Sequence, residues 1–248
     1  MTKVFSQMIW DALCEQYLSA LDSPRFPEAA RQLMPKVLKA ASAIAQEDID
    51  WFERALNDER RKWFVPFVLE STPDFPQALF MPMIHAAVYE RNPSANRFFV
   101  EPCIGAFGHR RVKEALLGLV RSGSNSEKAG AVNALYWAEV EVVYMGLTNL
   151  EKGVATPESR AAHDALIDIW LAKRCLLLQE FVSNTDVDVR RSIVASLELD
   201  PGAYPDKLKP LVDQAIQIAL AHPDEYIGHR IGVNLGTERL LKPLPHRD

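Results

Sequence analysis

The chain of 248 residues is 48% hydrophobic and 25% charged, which excludes global disorder and suffices for one extended domain or two small ones. Its net charge of −5 is unevenly spread: residues 1–123 carry 15 basic and 15 acidic side chains, residues 124–248 carry 13 and 18. Neither half is basic, so a nucleic-acid partner, which needs clustered Lys and Arg, is not expected.

Helical periodicity runs along the chain, with apolar residues three and four apart and Pro, Gly, Asn, Asp or Ser at segment ends. Residues 1–46, richer in Pro, are expected to form an N-terminal helical cap with a helix over 27–45. Helical segments 47–57, 59–71, 76–91, 93–105 and 109–122 follow. Asn92 can cap, Pro93 suits a first helical position, and Pro102 is expected to bend its helix or end it early. Residues 125–152 and 158–183 hold so few breakers that two helices of about 26 residues are expected, each roughly 40 Å long. Joined at "GVATP", with Pro157 in the first turn of the second, they make an elongated hairpin over about 125–183. Segments 187–198, 206–221 and 224–236 come next, and 241–248 is expected to be a loose tail.

Sustained period-two alternation and Asn-Gly or Asp-Gly hairpin turns are missing, so the fold class is all-α. Asp11 and Glu15 interrupt the apolar core that a secretion signal needs, and Asp168, Lys173, Arg174 and Glu180 break the most apolar long stretch, 165–182. No membrane span is therefore expected. Cys14, Cys103 and Cys175 are scattered through apolar helical patterns and read as buried thiols in a reducing compartment, so a cytoplasmic location is expected.

A short template recurs. "TDVDVRRSIVASL" puts Asp186 at a helix start and then Val189, Arg190, Ile193, Val194 and Leu197 along one helix. "HPDEYIGHRIGVNL" follows 38 residues later with Asp224, Ile227, Ile231 and Leu235 at matching offsets. Further copies start at Asp58, with Lys62, Val65, Pro66 and Leu69; at Asn92, with Phe99, Val100 and Cys103; and at Ser124, with Lys128, Ala131, Val132 and Leu135. The Asp-x-x-Val-Arg run followed by aliphatic residues and Leu resembles the second helix of a HEAT repeat. That resemblance implies an α-α superhelix of about five HEAT-like helical hairpins, because a lone hairpin cannot bury its apolar faces and neighbours must stack. The expected organisation is one solenoid over 1–240: the cap 1–46, repeats over 47–123, the elongated hairpin 124–183 and repeats over 184–240.

Within "EKAGAVNALYWAE", Ser124 and Glu127 read as a capping box, and Tyr136 and Trp137 as packing that fixes the hairpin to the solenoid. The motifs of phosphate loops, nucleophile elbows and paired Ser-His or Cys-His sites are missing, so no catalytic residue is singled out. No metal and no cofactor is expected. His163, Asp164 and Asp168, with Glu139 and Glu141 opposite, are the nearest approach to a ligand set, but the Glu-x-x-His pairs of carboxylate-bridged bundles are lacking. His109, Arg110 and Arg111 fall at a helix start, where cations are unfavourable unless an anion sits there.

Arg190, Lys128 and Lys62 occupy the template's basic position, where a side chain can reach the N-cap acid of a neighbouring repeat, Asp186 or Asp58, and build a ladder. The competing reading is a concave face on which Arg61, Lys62, Asn96, Arg97, Lys128, Asn133, Arg190, Arg191, His229 and Arg230 touch a protein partner. The expected function is a non-catalytic interaction module or scaffold, with a homodimer through the apolar arm "IDIWLAKRCLLLQEFV" as another association. The alternative implied by the resemblance is a HEAT-like enzyme, an alkylpurine DNA glycosylase using Trp137, Trp170 and Asp168, or a bilin lyase.

Overall fold

The computed structural model describes residues 2–42, 44–70, 72, 74–145 and 155–237, with side chains from residue 7 onward. The described residues are helices joined by turns, with one isolated antiparallel bridge between Tyr144 and Ala155, so the chain is all-α. It divides into two compact units, Met1–Ala115 and Leu116–Asp248. The tail 241–248 lies outside the described residues.

The first unit begins with α1 (Thr2–Leu21), a helix within the cap that the periodic segments did not include. It continues with α2 (Phe26–Ala41), α3 (Gln46–Leu56), a 3₁₀ turn at Arg61–Trp63 leading into α4 (Phe64–Leu69), and a second at Gln77–Leu79 leading into α5 (Phe80–Tyr89). Helix α1 packs on α2, α3 and α4, and α3 packs on α4 and α5. Their shared core is aromatic. Trp10 lies 4.8 Å from Phe52 and 6.5 Å from Phe64 between ring centres, and Trp51 meets Phe52 edge-on at 5.3 Å. Rings of this size bury about 150–250 Å² each, about 4–6 kcal/mol of apolar transfer as an upper bound.

Helix α6 (Arg97–Ser122) corrects the expectation for Pro102. The helix runs through Pro102 and is interrupted instead at Gly108, whose φ of 80° and ψ of 158° lie in a region essentially reserved for glycine. The break thus falls at Gly108, between the segments 93–105 and 109–122, and not at Pro102. A proline costs one backbone hydrogen bond, whereas Gly108 changes the direction of the chain.

The second unit contains α7 (Asn125–Leu135), α8 (Pro157–Asp164), α9 (Ile167–Ser183), α10 (Val187–Val194), α11 (Lys209–Leu220) and α12 (Glu225–Asn234). Helix α10 packs on α7, α9 and α12, while α11 packs on α9 and α12. The template's apolar positions form this core: Ala131, Val132, Leu135, Val189, Ile193, Val194, Leu197, Ile227 and Ile231 are buried. Leu235, given the same role, is 40% exposed because it is the C-cap residue of α12.

The elongated hairpin is not formed. Its first arm ends at Leu135, continues as a 3₁₀ turn over Tyr136–Ala138, and turns extended at Glu139, with ψ of 147°. The following "VEVVY" is rich in β-branched residues, which favour extended backbone over helix. There Val143 O accepts from Thr156 N–H at 2.7 Å, beside the Tyr144–Ala155 bridge. The second arm breaks between α8 and α9 at Leu166, which turns inward at φ −113° and ψ 13° although no Pro or Gly is present. Residues 146–152 of the first arm lie outside the described residues. Tyr136 is 71% exposed and so does not anchor an arm, and on α9 Ile167 and Leu171 also face solvent.

Helix starts follow the sequence closely. Ser124 and Glu127 form the reciprocal capping box, Thr156 caps α8 with Pro157 in its first turn, and Asp224 Oδ1 accepts from Ile227 N–H. Asp186 Oδ1 accepts from both Asp188 and Val189 N–H at 3.0 Å. Replacing Asp186 by Ala leaves two N–H groups of α10 without their acceptor and should cost about 1–2 kcal/mol. Thermal unfolding of D186A beside D186N, which keeps a capping oxygen, checks this; equal midpoints for the two would refute the capping role.

Candidate functional site

Most of the basic positions singled out in sequence are engaged within the fold. Arg61 reaches back to α1, with its guanidinium 2.9 Å from Asp11 and 3.2 Å from Glu15. Lys62 Nζ lies 2.9 Å from both Glu59 and Glu90. Lys128 on α7 pairs with Glu180 on α9 at 2.7 Å. Arg190 Nε donates to Phe181 O at 3.2 Å, and Arg191 pairs with the α12 cap Asp224 at 2.9 Å. A basic side chain thus does reach the N-cap acid of a neighbouring helix, but it is Arg191; Arg190 takes a backbone carbonyl. Burial raises the Asp224 carboxyl, and Arg191 with the N–H groups of Ile227 and Tyr226 more than offsets this, holding it below the usual carboxylate range.

Asn96 and Arg97 lie in the first unit, Lys128 and Asn133 in the second. Arg97 is exposed, with its guanidinium 4.8 Å from the Phe98 ring centre. Asn133 and His229 are half-buried, and Arg230 Nε is buried with no hydrogen-bond partner among the described residues. Asn96 is 1% exposed, and neither amide atom of its side chain has a partner there. An unsatisfied buried polar group costs about 1–3 kcal/mol, so the similarly sized Asn96→Leu should stabilise the first unit by about 1–2 kcal/mol. Chemical denaturation would read it, and a clear loss of stability would show the amide to be satisfied.

Two clefts of the first unit flank the 3₁₀ turn at Arg61–Trp63. The first, about 480 Å³, is lined by Glu53, Asp58, Glu59, Lys62, His85 and Tyr89 among others. Burial lowers the Lys62 pKa, but hydrogen bonds and charge from Glu59 and Glu90 outweigh it, and the net shift is upward. An ammonium held this firmly is neither a nucleophile nor a general base, both of which need a depressed pKa. Asp58 is lowered by the N–H groups of Arg61 and Arg60, to which its Oδ1 is hydrogen-bonded at 2.8 and 2.9 Å. These groups are held in their charged forms and suit structure better than proton transfer.

The second cleft, about 390 Å³, has a different character. Its walls are Tyr17 and Leu21 of α1, Phe26 of α2, Trp63, Pro66, Phe67 and Glu70 around α4, and Phe98, Glu101 and Pro102 of α6. Trp63 meets Phe98 edge-on at 6.1 Å, Tyr17 meets Phe26 edge-on at 5.8 Å, and Tyr17 and Phe67 are 4.9 Å apart. Burial first, and then Cys14, push the Tyr17 hydroxyl up to about 12, so it stays neutral. Among the described residues, Glu70 and Glu101 are the only charged ones of the lining, both are exposed, and neither has an ion-pair partner.

None of the cleft's residues was among the sequence candidates. A signal was present: Trp63, Pro66, Phe67 and Glu70 fall at i, i+3, i+4 and i+7, and Phe98, Glu101 and Pro102 at i, i+3 and i+4. Such spacing is equally that of a core stripe, so it cannot separate a wall from an interior.

Among the described residues no group of three or more His, Cys, Asp or Glu comes together to hold a metal. Glu139 is committed to Lys173, and His163 Nδ1 lies 3.1 Å from its neighbour Asp164. Cys14 and Cys103 are buried free thiols pushed up to about 12, chiefly by burial, which favours their protonated form; Cys175 is free but half-buried. No helix of the described residues is long and apolar enough to cross a membrane. Comparison with protein-family models, curated proteins and solved structures finds no match.

Proposed function

We propose that the chain is a non-catalytic protein-interaction module that grips a segment of a partner protein in the aromatic cleft of its first unit. The carrying observation is that cleft. Five rings, Tyr17, Phe26, Trp63, Phe67 and Phe98, converge on an open space of about 390 Å³, and Phe98 is 45% exposed. Aromatic side chains that are rigid and already packed against one another lose little freedom on binding, and such residues dominate protein interfaces. The ion-paired state of Arg61, Lys62, Lys128 and Arg191 supports moving the contact surface from those positions to the cleft. A stacked HEAT-like arrangement remains the architectural part of the reading, resting on the recurring template. Free cysteines support a reducing compartment such as the cytoplasm.

The test is selection of random peptides displayed on phage against the immobilised protein. Binding clones should lose about tenfold or more in affinity on Phe98→Ala, the size expected of an aromatic anchor. Phe98 is exposed enough for its removal to leave the fold intact. Clones that bind wild type and F98A alike, or no enrichment at all, would overturn this reading.

A further inference from the structure

We infer that the anchor accepted by the aromatic cleft is a cationic side chain, an Arg or Lys flanked by apolar residues on the partner segment; this rests on the cleft being the binding site. Three observations converge on a cation. Ring faces carry negative electrostatic potential and attract guanidinium and ammonium groups, Trp and Tyr most strongly, and both line this cleft. Its two charged lining residues, Glu70 and Glu101, have the same sign and no cationic partner among the described residues. Asp11, Glu15, Glu59, Glu90, Glu180 and Asp224 are each matched by a Lys or Arg among the described residues, whereas Glu70 and Glu101, like other surface acids such as Glu47 and Glu53, are not; what distinguishes these two is their place in the wall of an aromatic cleft. Finally, the fold itself puts a guanidinium 4.8 Å from Phe98, so this ring already tolerates a cation.

Selectivity follows from the same arrangement. An anionic anchor meets two carboxylates across rings that repel negative charge, and a purely aliphatic one leaves both carboxylates partly dehydrated without compensation. A long cationic side chain lays its methylenes along the rings and its charge between the acids. Arg suits the cleft better than Lys, because its planar guanidinium stacks on rings while donating in a fork to carboxylate.

The experiment uses the peptides selected above, resynthesised with each Arg or Lys kept or replaced; citrulline replaces Arg with nearly the same shape and no charge. On wild type, citrulline should weaken binding by about tenfold, as expected for a charge pair in a partly desolvated site. On the Glu70→Gln/Glu101→Gln double variant the same exchange should cost less than about threefold, because the charge has lost its counterparts. Both positions are exposed, so the variant should fold as wild type does, and its circular dichroism checks this. Selected peptides that depend on Phe98 but carry no cation, or that bind equally with citrulline, overturn the inference while leaving the cleft as the binding site. A citrulline effect that persists undiminished in the double variant places the counter-charge elsewhere and overturns it as well. Absence of any Phe98-dependent peptide removes both readings together.

Discussion

Phe64→Ala should lower the stability of the first unit by about 3–5 kcal/mol, a large share of the 5–15 kcal/mol that holds a domain together. Phe64 is fully buried, and its ring centre lies 5.5 Å from Tyr17, 6.0 Å from Trp51, 6.3 Å from Phe67 and 6.5 Å from Trp10. Truncation removes the transfer energy of the ring and opens a cavity whose walls are themselves rigid rings with little room to collapse. Phe64→Leu refills most of the volume and should cost about 1–2 kcal/mol. Urea unfolding followed by Trp fluorescence measures both. A loss below about 1 kcal/mol for F64A would mean that this cluster is not close-packed. The functional consequence is that Tyr17 and Phe67, which form part of the cleft wall, lose the ring behind them.

Breaking the Lys128–Glu180 pair is expected to be the most damaging polar change in the second unit. The two side chains are 15% and 14% exposed, and among the described residues the Glu180 carboxylate is otherwise approached only by Asn184 Nδ2 at 3.5 Å. Lys128→Met therefore strands a mostly buried carboxylate. A fully buried pair loses about 3–5 kcal/mol on such a cut, and the remaining solvent access reduces this to about 2–4 kcal/mol. Converting both partners, as in Lys128→Met/Glu180→Leu, removes the stranded charge together with its partner and should restore most of the loss. A double-mutant cycle by urea denaturation isolates the pair, and a coupling below about 0.5 kcal/mol would contradict the geometry. Asn184, which also donates to Asn125 Oδ1 at 3.0 Å, holds the same two helix ends together and should be left unchanged in the cycle.

The contrast between these two variants explains what was legible in the sequence. The core was readable: Val189, Ile193, Val194, Ile227 and Ile231 lie where their helical spacing put them, and the caps Ser124, Asp186 and Asp224 make the bonds their side-chain chemistry favours. Local rules sufficed because periodicity and capping are decided within a few residues of the chain. The basic positions were recognisable as special, but their partners were not. Lys128 meets Glu180 52 residues away, and Arg61 meets Asp11 50 residues away. Only tertiary packing decides such pairings.

The same distinction accounts for the aromatic cleft. Trp63 and Phe98 look like core residues in sequence, and whether a stripe is covered depends on what packs opposite it. The elongated hairpin failed for another reason. The scarcity of Pro and Gly breakers in 125–152 and 158–183 predicts continuity, whereas the β-branched run after Ala138 and the inward turn at Leu166 end helices without either residue.

That β-branched run has a bearing on how the protein behaves in crowded solution. From Val140 to Met145 the chain carries three valines, a tyrosine and a methionine, and Val143, Tyr144 and Met145 are 50%, 38% and 42% exposed. Short apolar stretches in extended form are the segments through which separate molecules zip into intermolecular sheets. Glu141 is the single charge within the run, and it is exposed. A like charge on every copy makes face-to-face stacking of two such runs repulsive, which is the placement by which a single charge opposes aggregation of an apolar run.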